Sequence, residues 1–204
     1  MSKRFEDLRK VPKQPAARLL AMANAKLKTP LDLPASASVS EVMAALDAAS
    51  AFIDQLRLMG VALPARERTW WACLAARDVV GEVDALPATL ELAEAWVRKP
   101  SDALRDKVRA AMEVADVDDD TTLCGTCVLF YNGKLGTGDL AELDGPPGAT
   151  EAAAFGMNVM ALGQGDSIPE TAKVLVDRAL DIARGGNGQI PLPGQPVKEE
   201  EQTT

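Results

Sequence analysis

The chain has 204 residues, 47% of them apolar and only 4% aromatic, with a formal net charge of −8 and no histidine. Without histidine there is no Ser-His-Asp or Cys-His nucleophile, no histidine base and no histidine-containing metal site, so a non-enzymatic protein without a cofactor is expected. The length fits one domain with tails, and an apolar set dominated by Ala, Leu, Val and Met favours helix over strand.

Residues 1–28 carry eight basic and two acidic side chains, a net +6 against −14 for the rest of the chain. A basic arm on an acidic body can bind an acidic partner or fold back on its own body. Nucleic-acid binding by the body is not expected, because phosphate contacts need clustered positive charge. Residues 1–15, broken by Pro12 and Pro15, read as a mobile arm without the apolar stretch of a signal peptide. Residues 16–28 have helical composition, so 1–34 forms a basic N-terminal arm with a short helix. No later apolar run reaches the roughly 18–20 residues of a membrane span. Three cysteines are too few and odd in number for a secreted disulfide framework, and a cytoplasmic location is expected.

Pro30 and Pro34 interrupt, and Ser36, Ser38 and Ser40 offer caps. From 40 to 60 apolar residues recur every three or four positions, which predicts one amphipathic helix or two joined by a bend near Ser50, stopped at Gly60. Pro64 opens a helix to about Val80, ended by Gly81. Pro87 opens another to about Arg98, where Glu94 and Arg98 are spaced as an ion pair. Ser101 caps a helix with Leu104, Val108, Ala111, Met112 and Ala115 on its core face. The acidic run 116–120 turns the chain, and Asp120 or Thr121 caps a short helix to about Tyr131. Residues 132–148 form the longest internal loop. Helices at about 149–163 and 168–184 complete a single domain, 35–184, before a disordered tail, 185–204. The fold class is all-α: about seven short helices in a compact antiparallel bundle or short α-solenoid.

Arg66, Arg68, Trp70 and Trp71 make the most distinctive segment. Adjacent tryptophans on a helix point about 100° apart, so one can enter the core while the other reaches a neighbour or a surface. With Trp96 they are the candidate partner-binding residues, since Trp and Arg anchor interfaces. The plain alternative is that both tryptophans are core, with Arg66 or Arg68 stacked on an indole.

Cys124 and Cys127 form Cys-x-x-Cys, the weak candidates for a thiol redox or zinc site. The preceding DDDTT opposes a thiolate, Cys73 lies within a helix, and two sulfurs on one helix face need no chemistry. The run 116–120 does not fit a calcium loop, because Thr121 and Cys127 stand where glycine and a bidentate glutamate belong. The glycines of GKLGTG (133–138) lack the order of a phosphate loop. Gly156 and Gly163, amid alanines, suggest a core helix packed closely on a neighbour.

The segments LPARERTWWACLAARDVVG (63–81) and AEAWVRKPSDALRDKVRAAMEVAD (93–116) are similar to motifs of an uncharacterised bacterial all-helical family, a domain of unknown function often encoded near type VI secretion genes. The resemblance covers about 40–184. It implies an adaptor, accessory or chaperone role towards another protein, such as a secretion effector or spike component, and brings no catalytic residues. The expected function is therefore a protein–protein interaction module. Alternatives are a redox or zinc protein using Cys124 and Cys127, or a self-associating structural subunit.

Overall fold

Serine, proline and glycine punctuate a chain whose other residues favour helix, and most helix starts fall at them. The computed structural model describes residues 3–193. Among these it holds nine α-helices: α1 (Ala16–Met22), α2 (Val39–Ala48), α3 (Phe52–Ala62), α4 (Ala65–Val80), α5 (Ala88–Arg98), α6 (Asp102–Glu113), α7 (Thr122–Leu129), α8 (Ala149–Ala161) and α9 (Ile168–Arg184). The all-α class is as expected. The number exceeds seven because α1 adds one and the stretch 40–60 divides in two at Ser50, which takes a left-handed φ of 52°.

Ser38 is the serine that starts α2. Its hydroxyl accepts from the Glu41 amide at 3.2 Å, and the Glu41 carboxylate accepts from the Ser38 amide at 2.8 Å, a reciprocal capping box. Ser101 caps α6 as expected, its hydroxyl accepting from the Leu104 amide at 3.2 Å. Gly60 does not stop α3. The helix runs on to Ala62 and ends because Leu63, preceding Pro64, is pushed into extended backbone at φ −68°, ψ 138°. Gly60 instead lets α8 approach: a Cβ there would lie 3.3 Å from the Glu151 carbonyl. Gly156 has only an ordinary contact with Leu123 and Gly163 faces open space, so the expected close packing of α8 rests on Gly60 across the interface.

Helix α4 is the centre of the molecule. It packs on α5, α7, α8 and α9, while α3 also meets α8 and α9. Elements distant in sequence therefore pack together, which selects the compact arrangement over a solenoid of nearest neighbours. Six consecutive α4 residues, Trp71, Ala72, Cys73, Leu74, Ala75 and Ala76, are buried, as a helix surrounded on all sides requires.

The N-terminal segment is part of this core rather than a mobile arm. Phe5 is 1% exposed, and Val11, Leu19 and Leu20 are buried with it. Arg4 bridges Asp47 of α2 at 2.6 Å and Asp177 of α9 at 2.9 Å, and the Lys10 amide donates to the Ala183 carbonyl at 2.9 Å. Opposite charge and one buried aromatic ring thus fold the arm back on its own body. The C-terminal stretch 185–193 also returns: Leu192 is buried, and Arg178 holds the Ile190 carbonyl at 2.7 Å. The rest of the expected disordered tail, 194–204, lies outside the described residues.

Asp54 in α3 ties down the chain after α1. It accepts from the Lys28 and Thr29 amides, each at 2.7 Å, and pairs with Arg57. Burial pushes this carboxyl up, but the Thr29 and Lys28 bonds and the Arg57 charge outweigh it and hold the group below the ordinary carboxylate value. Such stability is fully present above the unfolded-state pKa, about 3.9, and is lost as pH falls through the lower folded value. Asp54→Asn is expected to cost about 1–3 kcal/mol at neutral pH. Urea unfolding should show the gap to the parent closing below about pH 4; a gap that stays constant into acid would count against the ionised carboxylate as the anchor.

Candidate interaction surface

The tryptophan segment faces inward. Trp71 has no exposed surface, and its indole N–H donates to the Leu175 carbonyl of α9 at 2.9 Å. Trp96 is 2% exposed and lies against Tyr131, ring centroids 4.9 Å apart. Trp70 is partly covered and donates to the Asn187 carbonyl at 2.6 Å, so the returning C-terminal stretch lies over it. Arg66 is exposed, with its Nε on the Val97 carbonyl at 2.6 Å. The five residues therefore do not meet on one open face.

Arg68 joins two helix ends. Its Nε donates to the Gly60 carbonyl at 2.6 Å and Nη2 to the Leu63 carbonyl at 2.8 Å, which satisfies the last turn of α3. Nη1 donates to Thr150 Oγ1 at 2.7 Å and pairs with Glu151 at 2.7 Å, in the first turn of α8. Its positive charge meets the negative end of α3, and the Glu151 carboxylate meets the positive end of α8. Burial draws the guanidinium below its ordinary pKa and Glu151 opposes that shift. Neither Arg66 nor Arg68 stacks on an indole; among the described residues the stacked arginines are Arg4 on Phe5, Arg57 on Phe155 and Arg105 on Tyr131.

Arg105 is a site residue the sequence reading missed. It is 2% exposed and donates to the carbonyls of Leu129, Lys134 and Gly136, so one side chain closes α7 and ties down the loop after it. Its partners are carbonyls, which carry no signature in the side-chain sequence. Glu94 does lie 3.7 Å from Arg98, but its short contacts, 2.5 and 2.7 Å, are to Arg77 of α4.

The thiols of Cys73, Cys124 and Cys127 are all buried between α4, α7 and α8. The neighbouring Cys73 thiol and burial raise Cys124 well above its ordinary pKa, and burial raises Cys127. Thiols so placed are poor nucleophiles. Among the described residues no group of three His, Cys, Asp or Glu side chains is arranged to hold a metal ion.

An open groove of about 620 Å³ lies where the end of α4, the start of α5, the end of α6 and the turn into α7 converge. Val79, Val80, Leu86 and Ala111 give it an aliphatic lining, and Asp116, Asp118, Asp119 and Asp120 stand along one side. Val114 at its edge is 83% exposed, and Val117, within the acidic turn, is 99% exposed. Asp119 caps locally, accepting from the Thr121 amide at 2.9 Å and its hydroxyl at 2.6 Å. The turn reading of 116–120 thus holds for Asp119, while Asp116 and Asp118 are exposed beside bare valines and Asp120 is half-buried. A signal existed: 78–97 and 110–133 hold no Lys or Arg but ten acidic residues, with aliphatic side chains set among them.

A protein-family model described as "Family of unknown function (DUF6931)" matches residues 42–183. The chain belongs to this family. The family's span takes in α3 to α8, most of α2 and all but the last residue of α9, and so contains the groove and the Arg68 junction; the N-terminal segment with Phe5 lies before it. No curated protein and no solved structure matches the chain. No helix among the described residues is long and apolar enough to cross a membrane.

Proposed function

We propose that this protein is a non-enzymatic protein–protein interaction module, an adaptor, accessory or chaperone-like component that receives another protein in the groove between α4, α5, α6 and α7. The observation that carries this reading is the pair of bare valines, Val114 and Val117, which at 83% and 99% are the most exposed large apolar side chains among the described residues, beside an aliphatic groove. Water-exposed aliphatic surface that is continuous with a concave lining gains free energy when a partner covers it. The earlier candidates Trp71, Trp96 and Arg68 serve the core in this reading, and Trp70 and Arg66 lie outside the groove. The resemblance carried by 63–81 and 93–116 supports a partner within a bacterial, type VI-like secretion assembly in the cytoplasm.

A photo-crosslinking residue placed at Val114 in the full chain, in its native cells, tests this. One protein should dominate the adducts at Val114 and be missing from those at Ala17, an exposed position on α1. The same adducts at both positions, or none at Val114, would overturn the assignment of the groove.

A further inference from the structure

The groove carries an unbalanced charge that defines its occupant further. Asp116, Asp118 and Asp120, with Glu82, Asp84 and Glu113 in the flanking segments, make no ion pair among the described residues. The fold pairs carboxylates in the same segments where they are structural: Asp78 is held by Arg178 and Glu94 by Arg77, each arginine brought from another helix. No arginine or lysine is supplied to the groove, whose lining contains neither. Like charges so close repel one another, a cost the fold carries without an internal counter-charge.

Resting on the interaction reading above, we infer that the groove receives a basic amphipathic helical segment of a partner protein, with aliphatic side chains seated on Leu86, Ala111 and Val114 and Lys or Arg side chains set against Asp116, Asp118 and Asp120. A helix presents both kinds of side chain on one face at i, i+3 and i+4, which matches an aliphatic trough with acid along its side. Nucleic acid and anionic lipid are repelled by the same carboxylates. A small ligand would need convergent polar groups in the lining; here Asp116 and Asp118 are exposed, Asp119 is bonded to Thr121, and Thr89 and Thr121 are buried.

The test uses the full chain and a fluorescent helical peptide of repeating Leu-Lys-Lys-Leu-Leu-Lys-Leu, read by anisotropy, with a second peptide carrying Glu in place of every Lys. The lysine peptide should bind, more weakly as salt is raised, and the glutamate peptide should not. The triple variant Asp116→Asn, Asp118→Asn, Asp120→Asn should lose about tenfold in affinity, as three partly exposed pairs of this kind provide together. Val114→Asp should also weaken binding, through the aliphatic contact. The triple variant should melt no lower than the parent, because it removes repulsion, which separates lost charge from lost fold. Unchanged affinity in the triple variant, or equal binding of the glutamate peptide, overturns the inference. So does concentration-dependent self-association, seen by sedimentation, that the triple variant abolishes, since the occupant is then a second copy. A partner crosslinked at Val114 through an acidic or uncharged segment also overturns it, yet leaves the interaction module standing; absence of any adduct at Val114 removes both.

Discussion

Arg68→Ala is expected to destabilise the protein by about 3–5 kcal/mol, the scale measured when one member of a buried charged pair is removed. The substitution strands two kinds of group. The Gly60 and Leu63 carbonyls lose the donors that close α3, and Glu151 loses its 2.7 Å partner and keeps only the Thr150 hydroxyl among the described residues. Each unsatisfied buried polar group costs about 1–3 kcal/mol, and a stranded charge costs more. Against a total stability of about 5–15 kcal/mol, this brings the chain near its unfolding threshold. Arg68→Lys keeps the charge but not the planar fork that reaches both helix ends, so it should fall between the parent and alanine. Glu151→Gln removes the counter-charge and leaves every carbonyl bond in place, so its loss should be smaller than that of Arg68→Ala. Urea unfolding followed by circular dichroism orders the three variants. An alanine loss below about 1 kcal/mol would mean that water reaches the junction and replaces the guanidinium.

Helix positions were legible wherever a residue acts on its own backbone. Pro64, Pro87, Ser101 and Gly185 mark ends because the missing N–H, the short hydroxyl and the absent Cβ work locally, whatever the rest of the chain does. Ser38 could not be separated from Ser36 and Ser40 by type, although Glu41 three residues on is the distinguishing mark of a capping box. Gly60 shows the limit of that logic. Its place near the end of an apolar run suits a stop, but its use is to admit the backbone of α8, 91 residues away at Glu151, and no local rule reports such a contact.

The charged N-terminal segment was misread for a related reason. Composition alone makes residues 3–15 an arm, and the net +6 of 1–28 invites an external partner. Phe5 and Arg4 alter that outcome, because a single buried ring and a guanidinium shared by two helices supply long-range contacts that composition averages away. At the groove the reverse holds. The charge was legible, as ten acidic residues in two stretches without Lys or Arg, but not the geometry. Only the packing of α4, α5, α6 and α7 shows that both stretches border one aliphatic trough, and that Val114 and Val117 stay outside the core while Val108 on the same helix as Val114's approach is fully buried.

Trp71→Ala is expected to cost about 3–5 kcal/mol and Trp70→Ala less than half as much, although the two stand side by side in sequence. Trp71 is wholly enclosed and its indole N–H reaches the Leu175 carbonyl, so truncation opens a large cavity between α4 and α9 and strands that carbonyl. Trp70 is covered only in part, by the returning stretch at Asn187, which can settle onto a smaller side chain or open to water. Acrylamide quenching offers an independent reading: in the native parent the quenchable emission should belong to Trp70, and Trp70→Phe should remove it while Trp71 and Trp96 stay protected. Should Trp70→Ala prove the more damaging substitution, the C-terminal stretch would be holding α4 in place rather than resting on it. Trp71 and Arg68 lie three residues apart on one face of α4, the indole turned to α9 and the guanidinium to α3 and α8. If the two losses add, the double variant loses about 6–10 kcal/mol, much of an ordinary stability of about 5–15 kcal/mol, and its urea midpoint should fall below that of either single variant.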